Sequence, residues 1–310
     1  MHDAIRNLAA CLQQEPYNLR PQQTVVINCT YGHLNIIASL ASLCAGAIVA
    51  ALNENDTYKE LLEVGQRIKP ALLITNSTKT SWAAQLAQDL TMDRCQAVSM
   101  EADLIRLINT RCPDGWTPIK CEKPLNETVA FLSFSSGTTG KPKLVSCSHA
   151  RVIWDAHIFK SRDLFHKPRF IVSAPFHYIT GRFFTMRAIL NHACLITITN
   201  FTLSQYIDTI EQHQPTVVFL NIPSLAIFIQ ESNISHKIRS IREIFTVGSR
   251  IKFGHLLRDF LVRESGHIDT YCHCYGTSES SLSNFKFYQA PEFAKIDFEA
   301  NLCGPLAEGF

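Results

Sequence analysis

Apolar runs four to six residues long, rich in Val, Ile, Leu and Ala, alternate along this chain with stretches of helical spacing. Residues 24–29 (TVVINC), 47–51 (AIVAA) and 71–75 (ALLIT) read as buried strands. Between them, residues 34–44 read as a helix, and Thr57 with Glu60 forms a capping-box signature that opens a second helix, running to Arg67 ahead of Pro70. The rhythm resumes with strands at 170–173, 195–198, 217–220 and 244–247, separated by helical stretches such as 203–212 and 253–264. Strands apolar on both faces need cover on both faces. The expected architecture is therefore α/β, with layered, largely parallel sheets flanked by helices. The stretch 111–126 carries Pro113, Gly115, Pro118 and Pro124 and reads as a linker, dividing a first lobe, 1–124, from a second, 125–310.

Composition excludes several classes. Hydrophobic residues make up 46% and charged residues 18%, enough apolar surface for a large core and unlike a disordered chain. A net charge of +2 argues against a nucleic-acid binder, which would carry a basic stripe. The 11 cysteines are odd in number and contain no Cys-x-x-Cys, so reduced thiols in the cytoplasm are the simplest account. Residues 1–16 hold no apolar core of a signal peptide. The uncharged stretch 35–52 has the length of a membrane span, but its small residues and Gly46 suit two shorter buried elements, and no span is expected.

The most specific chemistry lies in VAFLSFSSGTTGKPKLVSCSH, residues 129–149. A strand (129–134) leads into Ser135, Ser136, Gly137, Thr138, Thr139, Gly140, Lys141, Pro142 and Lys143, and a second strand-like run (144–147) follows. Glycines let backbone N–H groups approach a ligand closely, hydroxyls donate to oxygens, and lysines supply point charge, which together suit a triphosphate. The string is not a Walker loop, because only two residues separate the glycines and Pro142 follows the lysine. A proline there disfavours a helix and points to a hairpin.

SSGTTGKPK resembles the phosphate-loop signature of the adenylate-forming superfamily, which comprises acyl-CoA synthetases, aryl-CoA ligases, luciferases and peptide-synthetase adenylation domains. Leu144 stands where the family usually has glycine. Tyr275, Gly276, Thr277, Ser278 and Glu279 resemble the family's Tyr-Gly-x-Thr-Glu segment and lie 140 residues beyond Ser135, with Ser278 keeping the hydroxyl of the usual threonine. The resemblance implies an aromatic face for adenine at Tyr275, close backbone approach at Gly276, a hydroxyl for the α-phosphate at Ser278 and a carboxylate for Mg²⁺ at Glu279. His273 falls where an amide often contacts adenine, and Cys274 where coumarate-ligase-like members carry glycine. Cys272, His273, Cys274 and His267 do not read as a zinc set, since on a strand His273 points away from its two neighbours.

Two weaker matches lie between. Residues 174–181 (APFHYITG) resemble the Pro-x-Phe-His-x-x-Gly segment of acyl-CoA synthetases, whose histidine gates the acyl pocket, which implies a catalytic and substrate-binding role for His177. A partly buried structural histidine is the competing reading. Adenylation domains for amino acids tend to carry aspartate there, so His177 and the surrounding Phe176, Tyr178, Phe183 and Phe184 imply an apolar or aryl acid. Residues 241–251 resemble the strand and Gly-Gly-Ala-Pro-Leu turn that border adenine and the acyl tunnel, which implies substrate contact at Gly248 and Ser249; only Gly248 matches well, and Val247 and Arg250 depart. Residues 302–309 (LCGPLAEG) resemble the family's Val-Gly-x-Pro-x-Pro-Gly turn. Of the 13 glycines, 137, 140, 181, 248, 276, 304 and 309 fall in these segments.

The resemblance implies the large subdomain of a ligase. A carboxylic acid and ATP, with Mg²⁺, give an acyl-adenylate and pyrophosphate, and a thioester with CoA or a carrier phosphopantetheine follows. The partners implied are a small-molecule carboxylate and, where the acceptor is a carrier, an acyl carrier protein. The matched region leaves the family's first strands ahead of residue 1, and its ribose-binding aspartate, hinge and lysine-bearing small domain beyond Phe310. Little turnover is then expected from these 310 residues by themselves. The alternative is a non-catalytic nucleotide- or acyl-binding relative.

Overall fold

The structure, a computed structural model, describes residues 1–111, 115–135, 143–158, 168–199, 201–248 and 250–298. The chain divides into two compact units, Met1–Val152 and Ile153–Phe310.

The first unit runs α1 (His2–Gln13), β1 (Thr24–Asn28), α2 (His33–Cys44), β2 (Ile48–Ala51), α3 (Tyr58–Ile68), β3 (Leu72–Thr75), α4 (Trp82–Asp89), β4 (Gln96–Ser99), α5 (Ile105–Asn109), β5 (Val129–Ser135) and β6 (Lys143–Ser148). Its sheet has the order β4-β3-β1-β2-β5-β6, parallel except for the antiparallel pair β5–β6. All five residues of β1 are buried, as a strand covered on both faces must be. The cap of α3 is the one its sequence announces. The Glu60 N–H donates to Thr57 Oγ1 at 3.4 Å, and the Thr57 N–H donates to Glu60 Oε2 at 2.7 Å. The apolar stretch 35–52 is α2 followed by β2, and among the described residues no helix is long and apolar enough to cross a membrane.

The unit boundary differs from the one expected at 124/125. β5 pairs in parallel with β2, matching Val49 to Phe131 and Ala50 to Leu132, so the phosphate-loop hairpin belongs to the first sheet. The stretch read as a linker is laid onto that same unit. The Trp116 indole N–H donates to the Cys44 carbonyl at 2.8 Å, and the Thr117 N–H to Gln13 Oε1 at 3.1 Å. Proline and glycine mark irregular backbone, but only a pairing between distant segments decides which sheet receives the strand that follows.

Helix α6 (His149–His157) continues directly from β6 and carries the chain into the second unit. There follow β7 (Arg169–Val172), α7 (Ile179–Leu190), β8 (Cys194–Thr197), α8 (Leu203–His213), β9 (Val217–Asn221), α9 (Ile222–Phe228), β10 (Glu243–Val247), α10 (Gly254–Arg263), β11 (Thr270–Thr277) and β12 (Ser281–Gln289). The sheet order is β12-β11-β10-β9-β7-β8, parallel except for the hairpin β11–β12. Alternate residues feed two cores. Ile244 and Tyr271 pack with α8, α9 and α10 through Tyr206, Leu225 and Phe260. Phe245, Cys272 and Cys274 pack with α7 through Phe183 and Phe184 on the other face. The mixed α/β architecture expected from the sequence is the one observed.

Candidate functional site

In the second unit, β7, β9, β10 and β11 are parallel neighbours, and their carboxyl ends share one edge. Val247 is level with Asn221 on β9 and with Cys274 on β11. In open α/β sheets ligands bind outside this edge. The segments leaving it carry His177 after β7, Gly248 after β10, and Tyr275 to Glu279 at the end of β11 and in the turn to β12. Residues nearly a hundred positions apart thereby leave the same edge of the sheet.

The turn after β11 is built tightly. The ladder with β12 shifts register between Tyr275 and Gly276. A Cβ on residue 276 would fall on the Ser281 carbonyl oxygen and lie 2.7 Å from Leu282 Cα, so glycine is required. Thr277 and Ser280 close the turn reciprocally: the Thr277 N–H donates to Ser280 Oγ at 3.2 Å and the Ser280 N–H to Thr277 Oγ1 at 3.1 Å. Tyr275 is left 46% exposed, an open aromatic face, and Glu279 is exposed on the turn. Ser278 is half-buried beside it.

His273 is buried one pleat earlier. Its Nδ1 lies 3.2 Å from Thr246 Oγ1, which in turn lies 2.8 Å from the Tyr271 hydroxyl. Burial pushes its pKa down, so the neutral imidazole is held in a β10–β11 network. Cys272 and Cys274 face the opposite side, with Sγ atoms 3.7 Å apart. Gly248 follows β10 at φ +138°, a conformation that favours glycine. Ser249 lies outside the described residues.

His177 precedes α7. Its Nε2 is buried and has no hydrogen-bond partner, and its ring packs tilted on Tyr178 at 4.2 Å between centroids. Burial, and secondarily the charge of Arg182, pushes its pKa down to about 4. At neutral pH the group is a neutral imidazole with one unsatisfied polar atom. Gly181 sets the approach of the helix: a Cβ there would fall on the Ala174 and Pro175 carbonyl oxygens. The depressed pKa carries a sign. The unfolded chain binds this proton below pH ~6.5 and the folded chain does not until about 4, so stability is lost as pH falls through that window. Between pH 7 and 5 the wild type should lose about 2 kcal/mol more than His177→Gln in urea unfolding. Parallel losses in the two proteins would contradict the buried neutral ring.

In the first unit, the phosphate-loop string sits at the end of an antiparallel hairpin, as Pro142 suggested. Ser135 ends β5 and is directly opposite Lys143, which opens β6. Lys143 is exposed and Ser135 half-buried. Ser136, Gly137, Thr138, Thr139, Gly140 and Lys141 lie outside the described residues. Two features of the site escaped the sequence. One is the pairing of Thr246 with His273 and Tyr271; the other is a buried bond from Ser281 to Asp155, 126 residues away. Neither has a local signal.

The second unit thus presents an exposed aromatic ring, an exposed carboxylate and a neutral imidazole along the carboxyl edge of its sheet, where open α/β sheets bind their ligands. The chain belongs to the AMP-binding enzyme family, whose model matches residues 1–298. The peroxisomal OPC-8:0-CoA ligase 1 of Arabidopsis thaliana is 27% identical over 236 residues, 73% of this chain and 42% of that protein. The nonribosomal peptide synthetase ivoA of Emericella nidulans is 32% identical over 142 residues, 44% of this chain and 8% of that protein. Among solved structures, ATP-bound MatB from Rhodopseudomonas palustris superposes with a TM-score of 0.78 at 16% identity, covering 99% of this chain and 58% of that one. The chain thus spans less than half the length of the curated relatives it matches.

Proposed function

We propose that the protein takes part in ATP-dependent activation of a carboxylic acid. An oxygen of the acid attacks the α-phosphorus of ATP, the bond to pyrophosphate breaks, and an acyl-adenylate forms. A thiol, from CoA or a carrier phosphopantetheine, then attacks the acyl carbon and AMP leaves. The observation that carries this reading is the joint presence of Tyr275, Gly276, Ser278 and Glu279 on one exposed turn at the sheet's carboxyl edge, in a chain of this family.

Each residue has a role its chemistry suits. The exposed ring of Tyr275 takes the adenine face, with His273 beneath the same strand, and Gly276 lets the backbone come close. Ser278 donates to the α-phosphate. The carboxylate of Glu279 is exposed and offers the hard oxygen that Mg²⁺ prefers; the metal would neutralise charge on the phosphates. Ser135, Ser136, Gly137, Thr138, Thr139, Gly140, Lys141 and Lys143 hold the triphosphate tail. His177, with its buried Nε2 and neutral ring, faces the acid, and Gly248 and Ser249 border it. A neutral ring in a segment whose Phe176 and Phe183 are buried suits an apolar or aryl acid rather than one bearing an ammonium group. A carrier protein as acceptor is supported by the likeness to a peptide synthetase. The thiols of Cys29, Cys95, Cys272 and Cys274, free and buried, suit a reducing compartment such as the cytoplasm.

Calorimetry tests the nucleotide half. The wild type should bind ATP with Mg²⁺, and Thr138→Ala with Thr139→Ala should weaken binding at least tenfold, since hydrogen bonds to charged groups are worth about 1.5–3 kcal/mol. Unchanged affinity would remove the loop from the site. ATP–pyrophosphate exchange over a panel of acids tests the rest, and preference for a free α-amino acid would overturn the substrate class.

A further inference from the structure

Ser281, which closes the turn after Glu279, is held at φ +59°, a left-handed conformation that residues with side chains avoid. Such a residue persists only where its surroundings over-determine it. Two constraints act on Ser281. Its carbonyl oxygen is seated against Gly276, in the space a side chain there would fill. Its hydroxyl donates to Asp155 Oδ2 at 2.7 Å, and both residues are buried, Ser281 2% and Asp155 7% exposed. The hydrogen bonds between Thr277 and Ser280, and that from Ser280 Oγ to the Ser281 carbonyl, link residues within four positions of each other. The bond from Ser281 to Asp155 ties the turn to a different element, α6, the helix continuing directly from β6.

We propose that Asp155 is a positioning residue for the nucleotide site. By holding Ser281 in the left-handed conformation it keeps the Ser281 carbonyl on Gly276, and so fixes where Tyr275, Ser278 and Glu279 stand at the end of β11. Without the tether, Ser281 relaxes to an ordinary backbone conformation, its carbonyl leaves Gly276, and the exposed turn samples several arrangements. Asp155 itself touches no ligand. The role rests on the nucleotide reading given above, and the test separates the two.

Hydrogen exchange of the amides of residues 275–281 reads the tether directly, and calorimetry with ATP and Mg²⁺ well below the melting temperature reads its consequence. Asp155→Ala should speed exchange in 275–281 at least tenfold and raise the Kd for ATP about tenfold. Asp155→Asn keeps an acceptor oxygen for the Ser281 hydroxyl and should stay within threefold of wild type in both. Ser281→Ala, which deletes only the hydroxyl and serves if Asp155→Ala does not fold, should reproduce the loosening. The double alanine variant should be no worse than either single one. A purely structural Asp155 would lower the melting temperature while leaving local exchange and Kd unchanged, and that result overturns the proposal. If the wild type binds no nucleotide yet Asp155→Ala or Ser281→Ala loosens 275–281, the nucleotide reading falls and the tether stands. If nucleotide binds and neither variant changes exchange in 275–281, the tether falls alone.

Discussion

Replacing Arg187 with methionine is expected to destabilise the second unit by about 3–5 kcal/mol, the usual cost of breaking a buried ion pair from one side. Arg187 is 1% exposed on α7, and its Nη2 stands 3.5 Å from Oε2 of Glu243, itself buried at the start of β10. The guanidinium also lies 4.6 Å from the ring centroid of Phe245 and 5.3 Å from that of Phe170. Burial works against the charged guanidinium and the Glu243 carboxylate works for it. Methionine fills much of the volume but leaves the carboxylate buried without its cation. The melting temperature should fall by about 10 °C. Arg187→Met combined with Glu243→Leu should recover most of the loss, because two apolar side chains leave no charge to desolvate. Urea unfolding of the three proteins decides it; a single variant within 1 kcal/mol of wild type would mean that the pair adds little.

Gly276→Ala should damage the candidate site severely although it adds a single methyl group. The three nearest atoms its Cβ would meet are all backbone: the Ser281 carbonyl oxygen, Leu282 Cα at 2.7 Å and the Ser281 carbonyl carbon at 2.8 Å. No rotamer change relieves such a clash, so the β11–β12 hairpin must open at its register shift. Overpacking of this kind costs about 1–3 kcal/mol in stability. The larger effect falls on function, because Tyr275 and Glu279 flank the displaced peptide. Nucleotide affinity should drop at least tenfold, while Gly266→Ala, where a Cβ meets nothing within 4 Å, should leave it unchanged. Equal nucleotide affinities for the two variants would dissociate the turn from binding.

Much of this was legible in the residues. Runs such as TVVINC and ALLIT, apolar on both faces, announced buried parallel strands, and the Thr57–Glu60 cap announced α3. Pro142 announced a hairpin in place of a helix, and β5 and β6 form one. The phosphate-loop and Tyr275–Glu279 strings pointed to a nucleotide chemistry because that chemistry depends on residue types held within a few positions of each other. Strand β4 (QAVS) was not legible, being short and only half apolar, and neither was β12 (SLSNFKFYQ), whose polar residues resemble a loop until β11 supplies its partner.

By itself the sequence determined what is local: element type, the caps and turns, and the short strings that carry the nucleotide proposal. Period, backbone restriction and side-chain chemistry act over fewer than ten residues, so they are written in the order of the chain. Only the tertiary structure decided what depends on contacts between distant segments. It placed the hairpin 129–148 in the first sheet, although Pro- and Gly-rich chain separates it from β4. It brought His177, Gly248 and Tyr275 to one edge through the order of parallel strands. It buried the His177 ring so that it stays neutral, and it joined Asp155 to Ser281 across 126 positions. Which partner a buried polar group finds, and hence its charge and its orientation, is set by packing that no short stretch of sequence contains.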